Sequence, residues 1–358
     1  MINNKFICNF QLGISKYLKI DIHSIDNVLW IIFSLFSFRT NLKQKYNILK
    51  YIFYRVADSK NTLMRIFICP SHVCQCKCVH CYEGEKDKKN YDNKIFLTTE
   101  EIKKVVDDFS KYLHGLDVYF CSGEILLRKD IFELIEYSKE KGLIVNIVTN
   151  GILLDDNMIL NLKKAGLTKC IVSIDYPNDN IHDKLRGFNG CYEKATNGIR
   201  LAVKAGLDVT IWTYISRSNK NDLKKLGSLA NKLKITSPVF VYFPLLSGKL
   251  FNKFEENLTF EEREYIRKTA KHPISLLFPF EKTICTGAGR YHLSIEPSGD
   301  MTPCPATPYS YGNIKKVSLI KSFKYMKEDC QKFNSSFTGQ CMVNNLDYRT
   351  KCKGKLIR

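Results

Sequence analysis

A chain of 358 residues with 44% hydrophobic and 25% charged residues carries enough apolar material for a large buried core, which excludes a disordered chain and a bundle of membrane spans. The formal charge of +19 is spread along the sequence with no long basic block, so a solvated lysine-rich surface is expected rather than a nucleic-acid groove. Attraction to acidic peptides or phosphate-bearing substrates stays open.

Met1 to Lys19 shows no apolar core closed by a small-residue cleavage site, so a cytoplasmic protein is expected. In that compartment the 14 cysteines hold metal or do redox chemistry more readily than they form bridges. Residues 1–62 read as a helical extension. Its longest apolar run, Val28 to Phe38, is too short to span a bilayer. Arg39, Lys43 and Lys45 beside it would suit contact with an anionic membrane, but a buried helix is the expected reading.

From Leu63 a rhythm sets in. Strand-like runs occur at "LMRIFIC" (from Leu63), "LDVYFC" (Leu116), "LIVNIVT" (Leu143), "LTKCIVSI" (Leu167), "LDVTIWTYI" (Leu207) and "PVFVYFPLL" (Pro238). Helical patterns lie between them: in one, Thr98 and Glu101 form a capping box ahead of an apolar face, and another stops at Gly142. Six alternating units predict an α/β fold with parallel strands, either an open doubly wound sheet or a partial barrel. Both architectures gather chemistry at the carboxyl ends of the strands. Small, polar and thiol residues fall there in every case examined: the cluster "CQCKCVHCY" after the first strand, "CSGE" after the second, "TNG" after the third, "SID" at the end of the fourth and "PLLSG" after the sixth.

Within "CQCKCVHCY", Cys74, Cys78 and Cys81 stand at CxxxCxxC spacing with Cys76 between them. Thiolates suit zinc, copper(I) and iron–sulfur clusters. A structural zinc site needs a fourth ligand, which Cys69 or Cys76 could supply, although no second cysteine pair at knuckle spacing follows. Three cysteines around a four-iron cluster leave one iron open to a substrate or cofactor.

Here the sequence resembles the radical S-adenosylmethionine (SAM) family. The resemblance is carried by "CQCKCVHCY" with its aromatic Tyr82, then in register by "FCSGEILLRKDIFELI", "VTNG", "VSIDYPNDNIHDKLRG" and "CYEKATNGI", over about residues 64 to 250. It implies a partial (β/α)6 TIM-like barrel over residues 63–250, with a [4Fe-4S] cluster on Cys74, Cys78 and Cys81 and SAM on the open iron. Reductive cleavage of SAM would give a 5'-deoxyadenosyl radical that abstracts hydrogen from substrate, the electron coming from a flavodoxin- or ferredoxin-type donor. The resemblance further places Tyr82 at the adenine and Ser122, Gly123 and Glu124 at the methionine ammonium. Ser173 and Asp175 would reach ribose or methionine, Asn150 would line the pocket, and Arg186 would pair with the SAM carboxylate. Taken singly, a strand serine, a surface arginine or a turn asparagine is an ordinary structural residue. Two departures stand out: Ser122 and Ile125 replace a glycine and a proline of the family pattern, and Ser122 would be strained if its φ is positive.

The last third, residues 251–358, predicts a hairpin around "PSGD" that brings Cys285 toward Cys304, followed by Cys330, Cys341 and Cys352. This resembles the auxiliary-cluster extension called SPASM, or its shorter relative twitch. The wide cysteine spacing implies one auxiliary [4Fe-4S] cluster, on Cys285, Cys304 and two of the last three cysteines, Cys341 and Cys352 foremost. Unligated thiols in a small hairpin and helix domain are the plain alternative. Cys8, Cys121, Cys170 and Cys191 read as isolated core thiols.

The resemblance implies a radical SAM enzyme, with maturation of a ribosomally made peptide as the first expectation. A SAM-dependent dehydrogenase or rearrangement enzyme acting on a small molecule is the main alternative. A noncatalytic metal-binding scaffold and an RNA-modifying enzyme explain the ordered motifs less well.

Overall fold

The computed structural model describes residues 40–58, 61–84, 97–235, 237–242, 247–250, 253, 255, 258–269, 274–276, 288–333, 342–344 and 346–357. The expectations placed on Val28–Phe38, Pro244–Leu246, Cys285 and Cys341 lie outside the described residues.

Helix α1 (Leu42–Ala57) opens with a capping box in which the Asn41 side chain accepts from the Gln44 amide and Gln44 reaches back to the Asn41 amide. There follow β1 (Arg65–Ile68), α2 (Thr99–Tyr112), β2 (Asp117–Phe120), α3 (Ile131–Glu140), β3 (Ile144–Thr149), α4 (Asp156–Ala165) and β4 (Lys169–Ser173). Next come α5 (Asp179–Arg186), α6 (Cys191–Lys204), β5 (Asp208–Tyr214), α7 (Leu223–Lys232) and β6 (Val239–Tyr242). Each predicted strand forms inside the run that announced it. The Thr98–Glu101 capping box forms as well, and Gly142 takes a positive φ just past α3.

Past residue 250 lie α8 (Phe260–Thr269), β7 (Ile274–Leu276), β8 (His292–Ile295), β9 (Met301–Thr302), β10 (Tyr309–Ser310), α9 (Leu319–Lys332), α10 (Leu346–Lys351) and β11 (Lys355–Leu356). The main sheet runs β7-β6-β5-β4-β3-β2-β1-β8-β9, parallel throughout except for the β8–β9 hairpin. The barrel sheet thus gains β7 on one side and β8 and β9 on the other from the last third of the chain. The β8–β9 hairpin around Pro297–Asp300 forms as expected, but its docking was not foreseen and neither was β7: β7 is three residues long, and the pairing of β8 with β1 joins positions more than two hundred residues apart, beyond any local pattern.

Side-chain alternation sorts the strands into two faces. Ile66, Ile68, Val118, Phe120, Val145, Ile147, Val209 and Ile211 pack outward under the helices. Phe67, Cys69, Tyr119, Cys121 and Ile171 form a separate cluster with Val148 and Trp212, lining the barrel lumen.

Helix α1 closes the amino-terminal end of that lumen. Its Gln44 side chain donates to Leu143 O at 2.9 Å and its Asn47 side chain to Gly115 O at 2.8 Å, while Ile48 and Tyr51 pack with Met64, Leu116 and Ile144. Just above, Arg65 forks onto the fully buried Asp117 at 2.8–3.1 Å, and Lys169 meets Asp208 at 3.3 Å. Removing one partner of a buried pair strands the other charge, at about 3–5 kcal/mol. Asp117→Ala is therefore expected to lower stability by about 3 kcal/mol, read as a lower urea midpoint with an unchanged slope.

Candidate cluster and cofactor site

The loop from Ser71 to Gly84 leaves β1 at the carboxyl end of the barrel and is held from three sides. After β2, the Glu124 amide donates to Val73 O at 2.7 Å and the Ser122 hydroxyl to Ser71 O at 3.2 Å. From α5, Arg186 O and Leu185 O accept the amides of Lys77 and Val79 at 2.8 and 3.0 Å. After β6, the Lys249 amide donates to Cys81 O at 3.1 Å and the Ser247 hydroxyl to Tyr82 O at 3.0 Å.

Two of these contacts require glycine. A Cβ on Gly123 (φ +55°) would stand 2.5 Å from Val73 O, and one on Gly248 (φ +54°) would stand 2.4 Å from Cys81 O. Ser122 does adopt a positive φ, 78°, as the departure from the family glycine anticipated. Its hydroxyl bonds to Ser71 O and to the Glu83 carboxylate, whose other oxygen contacts His72 Nδ1 at 2.5 Å.

Polar groups converge on the sulfurs. Asn150 Nδ2 lies 3.4 Å from Cys76 Sγ and 3.8 Å from Cys74 Sγ, and Arg186 Nη1 lies 3.8 Å from Cys78 Sγ. Hydrogen bonding from Cys76 holds the Cys74 and Cys78 thiols below their ordinary range, with Arg186 adding to the effect at Cys78. Burial pushes Cys81 up to about 11.

Arg186 is braced by Asp175, whose Oδ2 sits 2.7 Å from Nη2. Asp175 is fully buried, and its Oδ1 also accepts the Tyr214 amide at 2.9 Å. Burial alone would raise its pKa, but the Arg186 charge overrides this and holds the carboxyl below the usual range. His80 lies 3.4 Å from Asp175 and stacks on Tyr214, and burial lowers its pKa, favouring the neutral ring.

Glu124 accepts from the Thr149 hydroxyl at 2.7 Å, from the Asn150 amide at 2.8 Å and from the Leu126 amide at 3.1 Å. It stitches the loops after β2 and β3 together and so aims Asn150 at the thiols. Burial raises its pKa. Ser173 ends β4 half-buried opposite Trp212, and Tyr82 is half-buried at the end of the cysteine loop.

Other members of the site escaped the sequence reading. Cys121, expected as a core thiol, faces the lumen with its Sγ 3.6 Å from Cys69 Sγ, and Cys69 in turn lies 3.4 Å from Ser294 Oγ. Alternation with Tyr119 was the available signal for this placement. Cys191 pairs with Cys76 and lies 3.7 Å from His182 Nε2. Glu296 is buried and accepts from Ser294 at 3.2 Å and Thr302 at 3.3 Å.

In the C-terminal region, the Glu296 amide donates to Asp300 O at 2.8 Å across the hairpin turn. Cys304 follows β9, with its Sγ 2.9 Å from Thr307 Oγ1. Cys330 is buried on α9, and burial raises its thiol pKa, with Asp329, Cys304 and Cys352 acting in the same direction. Cys304, Cys330 and Cys352 are the described cysteines of this region, and among the described residues no three metal-ligating side chains group there as a site for a metal ion.

Among the described residues no three His, Cys, Asp or Glu side chains group as a site for a single metal ion, and what suits a larger cluster here is the chemistry of the donors. Three soft thiols sit on a loop held by its backbone, and Arg186 Nε is buried there without a hydrogen-bond acceptor, available to an anionic group. After anaerobic reconstitution the chain is expected to hold about eight irons, falling to about four when Cys74, Cys78 and Cys81 are all replaced by Ala, at four irons per cluster. Gly123→Ala is expected to show the same fall, because the loop cannot close over a Cβ. An iron assay with acid-labile sulfide checks both variants.

Comparison with known proteins places the chain. The model of the radical SAM superfamily matches residues 68–230, and that of the SPASM iron–sulfur cluster-binding domain matches residues 285–353. The sequence is 34% identical over 189 residues to an Fe-coproporphyrin III synthase of Methanosarcina barkeri, covering 53% of this chain and 46% of the synthase, so the chain spans about half the length of that relative. It is 26% identical over 268 residues to a PqqA peptide cyclase of Granulibacter bethesdensis, covering 70% of each. The fold matches that of Streptococcus suis SuiB, solved with S-adenosylmethionine (TM-score 0.61, 14% identity, 92% of this chain and 79% of SuiB) and with its precursor peptide SuiA (TM-score 0.60, 13% identity, 92% and 80%). With both family models in register along the chain, residues 68–230 are a radical SAM domain and residues 285–353 a SPASM domain, whose cofactors are [4Fe-4S] clusters and SAM.

Proposed function

We propose that this enzyme modifies a peptide. The observation that carries the reading is the charge at the lumen mouth. Glu83 and Glu296 are buried there beside the hydroxyls of Ser122, Ser294 and Thr302 and the thiol of Cys69. Of the cations of the described lumen, Arg65 is paired with Asp117 and Lys169 with Asp208, while Arg186, paired with Asp175, has its Nε left for the SAM carboxylate. The Glu83 and Glu296 carboxylates accept hydrogen bonds from amide N–H groups, whereas they repel the carboxylate side chains of a porphyrin. Similarity to a peptide cyclase over 70% of both chains supports the same reading. The higher identity to the Fe-coproporphyrin III synthase favours a porphyrin as the second reading.

In this proposal Cys74, Cys78 and Cys81 hold the catalytic cluster, and Cys304, Cys330 and Cys352 contribute to an auxiliary one with Cys285 or Cys341. Tyr82, Ser122, Gly123, Glu124, Asn150, Ser173, Asp175 and Arg186 surround SAM. When bound, reduced cluster and SAM together supply a radical able to abstract hydrogen from carbon. Asp175 fixes the Arg186 guanidinium, and Glu124 fixes Asn150 through its backbone amide. Phe67, Tyr119 and Trp212 line the lumen below and exclude water from the reacting position. A small flavodoxin- or ferredoxin-type protein would supply the electron.

Two measurements test this. Co-expression with each short open reading frame flanking the gene is expected to yield one peptide lighter by two hydrogen atoms. Formation or conversion of iron-coproporphyrin III by the reconstituted enzyme, with every peptide unchanged, would overturn the reading. Asp175→Asn is expected to weaken SAM binding by roughly tenfold or more, the scale of a broken buried ion pair, at unchanged iron content in equilibrium dialysis.

A further inference from the structure

Helix α1 buries one face in the barrel floor and presents the other to solvent. Leu42, Tyr46, Leu49 and Phe53 are 85%, 68%, 55% and 65% exposed. Their spacing of four, three and four residues sets them in one stripe along the helix. Tyr112, at the end of α2, is also exposed, and Lys50 Nζ reaches Ser110 O at 3.5 Å, which ties that helix end to α1. Scattered exposed apolar residues are ordinary, whereas a contiguous stripe marks an interaction surface.

Charge identifies the occupant. Helix α1 carries Lys43, Lys45, Lys50 and Arg55 and no acidic residue. In the sequence the acid-free stretch runs from Asn27 to Ala57 and takes in the apolar Val28–Phe38 and Arg39. An apolar stripe flanked only by cations matches a surface that is apolar within and anionic at its face. Among the described residues no helix is long and apolar enough to cross a membrane. We infer that α1 is an interfacial anchor that docks this protein on an anionic phospholipid bilayer. The stripe lies at the amino-terminal end of the barrel, opposite the cysteine loop, so docking leaves the lumen mouth facing away from the lipid.

The test uses the full chain, reconstituted, in sedimentation with vesicles of phosphatidylcholine alone and of phosphatidylcholine mixed with phosphatidylglycerol. Binding is expected to be at least about tenfold stronger to the anionic vesicles and to weaken as salt screens the cations. The double variant Leu49→Ser, Phe53→Ser changes only exposed side chains and is expected to lose most of that binding with its iron content intact. Retention of full binding by this variant, or no binding by the native chain, overturns the inference. A dimer seen by light scattering that the variant dissolves, without vesicle binding, assigns the stripe to a second copy. A monomer that ignores vesicles and protects α1 from hydrogen exchange assigns it to the chain's own apolar segment. Both of those outcomes also overturn it.

Discussion

Backbone packing against the cysteine loop is the constraint on which the rest of this structure depends. Amides and carbonyls from the segments after β2, β4 and β6 each close on the loop, so its conformation is set by the sheet and not by the cysteines themselves. Each such hydrogen bond contributes only about 1 kcal/mol net, but together they define where three thiols stand before any metal arrives. Ser122 shows the cost of that closeness. A non-glycine residue at positive φ costs on the order of 1–3 kcal/mol, and here its hydroxyl offsets part of the strain by bonding across the loop.

The buried charges follow the same logic of indirect support. Asp175 and Glu124 are sealed from water and act through neighbours: one fixes a guanidinium beside Cys78, the other fixes the amide that carries Asn150 toward Cys74 and Cys76. Isolated carboxylates would be driven to protonate at such depth. The Arg186 cation and the converging donors keep these groups useful, and they couple three strand ends into one rigid unit.

The barrel and its cysteine loop were legible because their signals are local. Six apolar runs alternate with capped helices, and the thiols of the loop all fall between Cys74 and Cys81. What the sequence did not disclose depends on distance in space. The pairing of β8 with β1 decides that Ser294 and Glu296 stand beside Cys69, and nothing near residue 294 says so. Cys121 and Cys191 read as plain core residues because their partners, Cys69 and Cys76, come from another turn of the chain. Cys330 lies on α9 within electrostatic reach of Cys304 and Cys352, a proximity that no spacing along the chain discloses.

The closed floor of the barrel has a consequence for traffic. With α1 seated across one end and the Arg65–Asp117 pair above it, the lumen is a blind well, and whatever goes in must come out by the same opening. A blind well sets no limit on the overall length of a visitor, since everything beyond the mouth stays outside. It measures only how far one protruding segment reaches downward, and release must clear the mouth before the next visitor can descend.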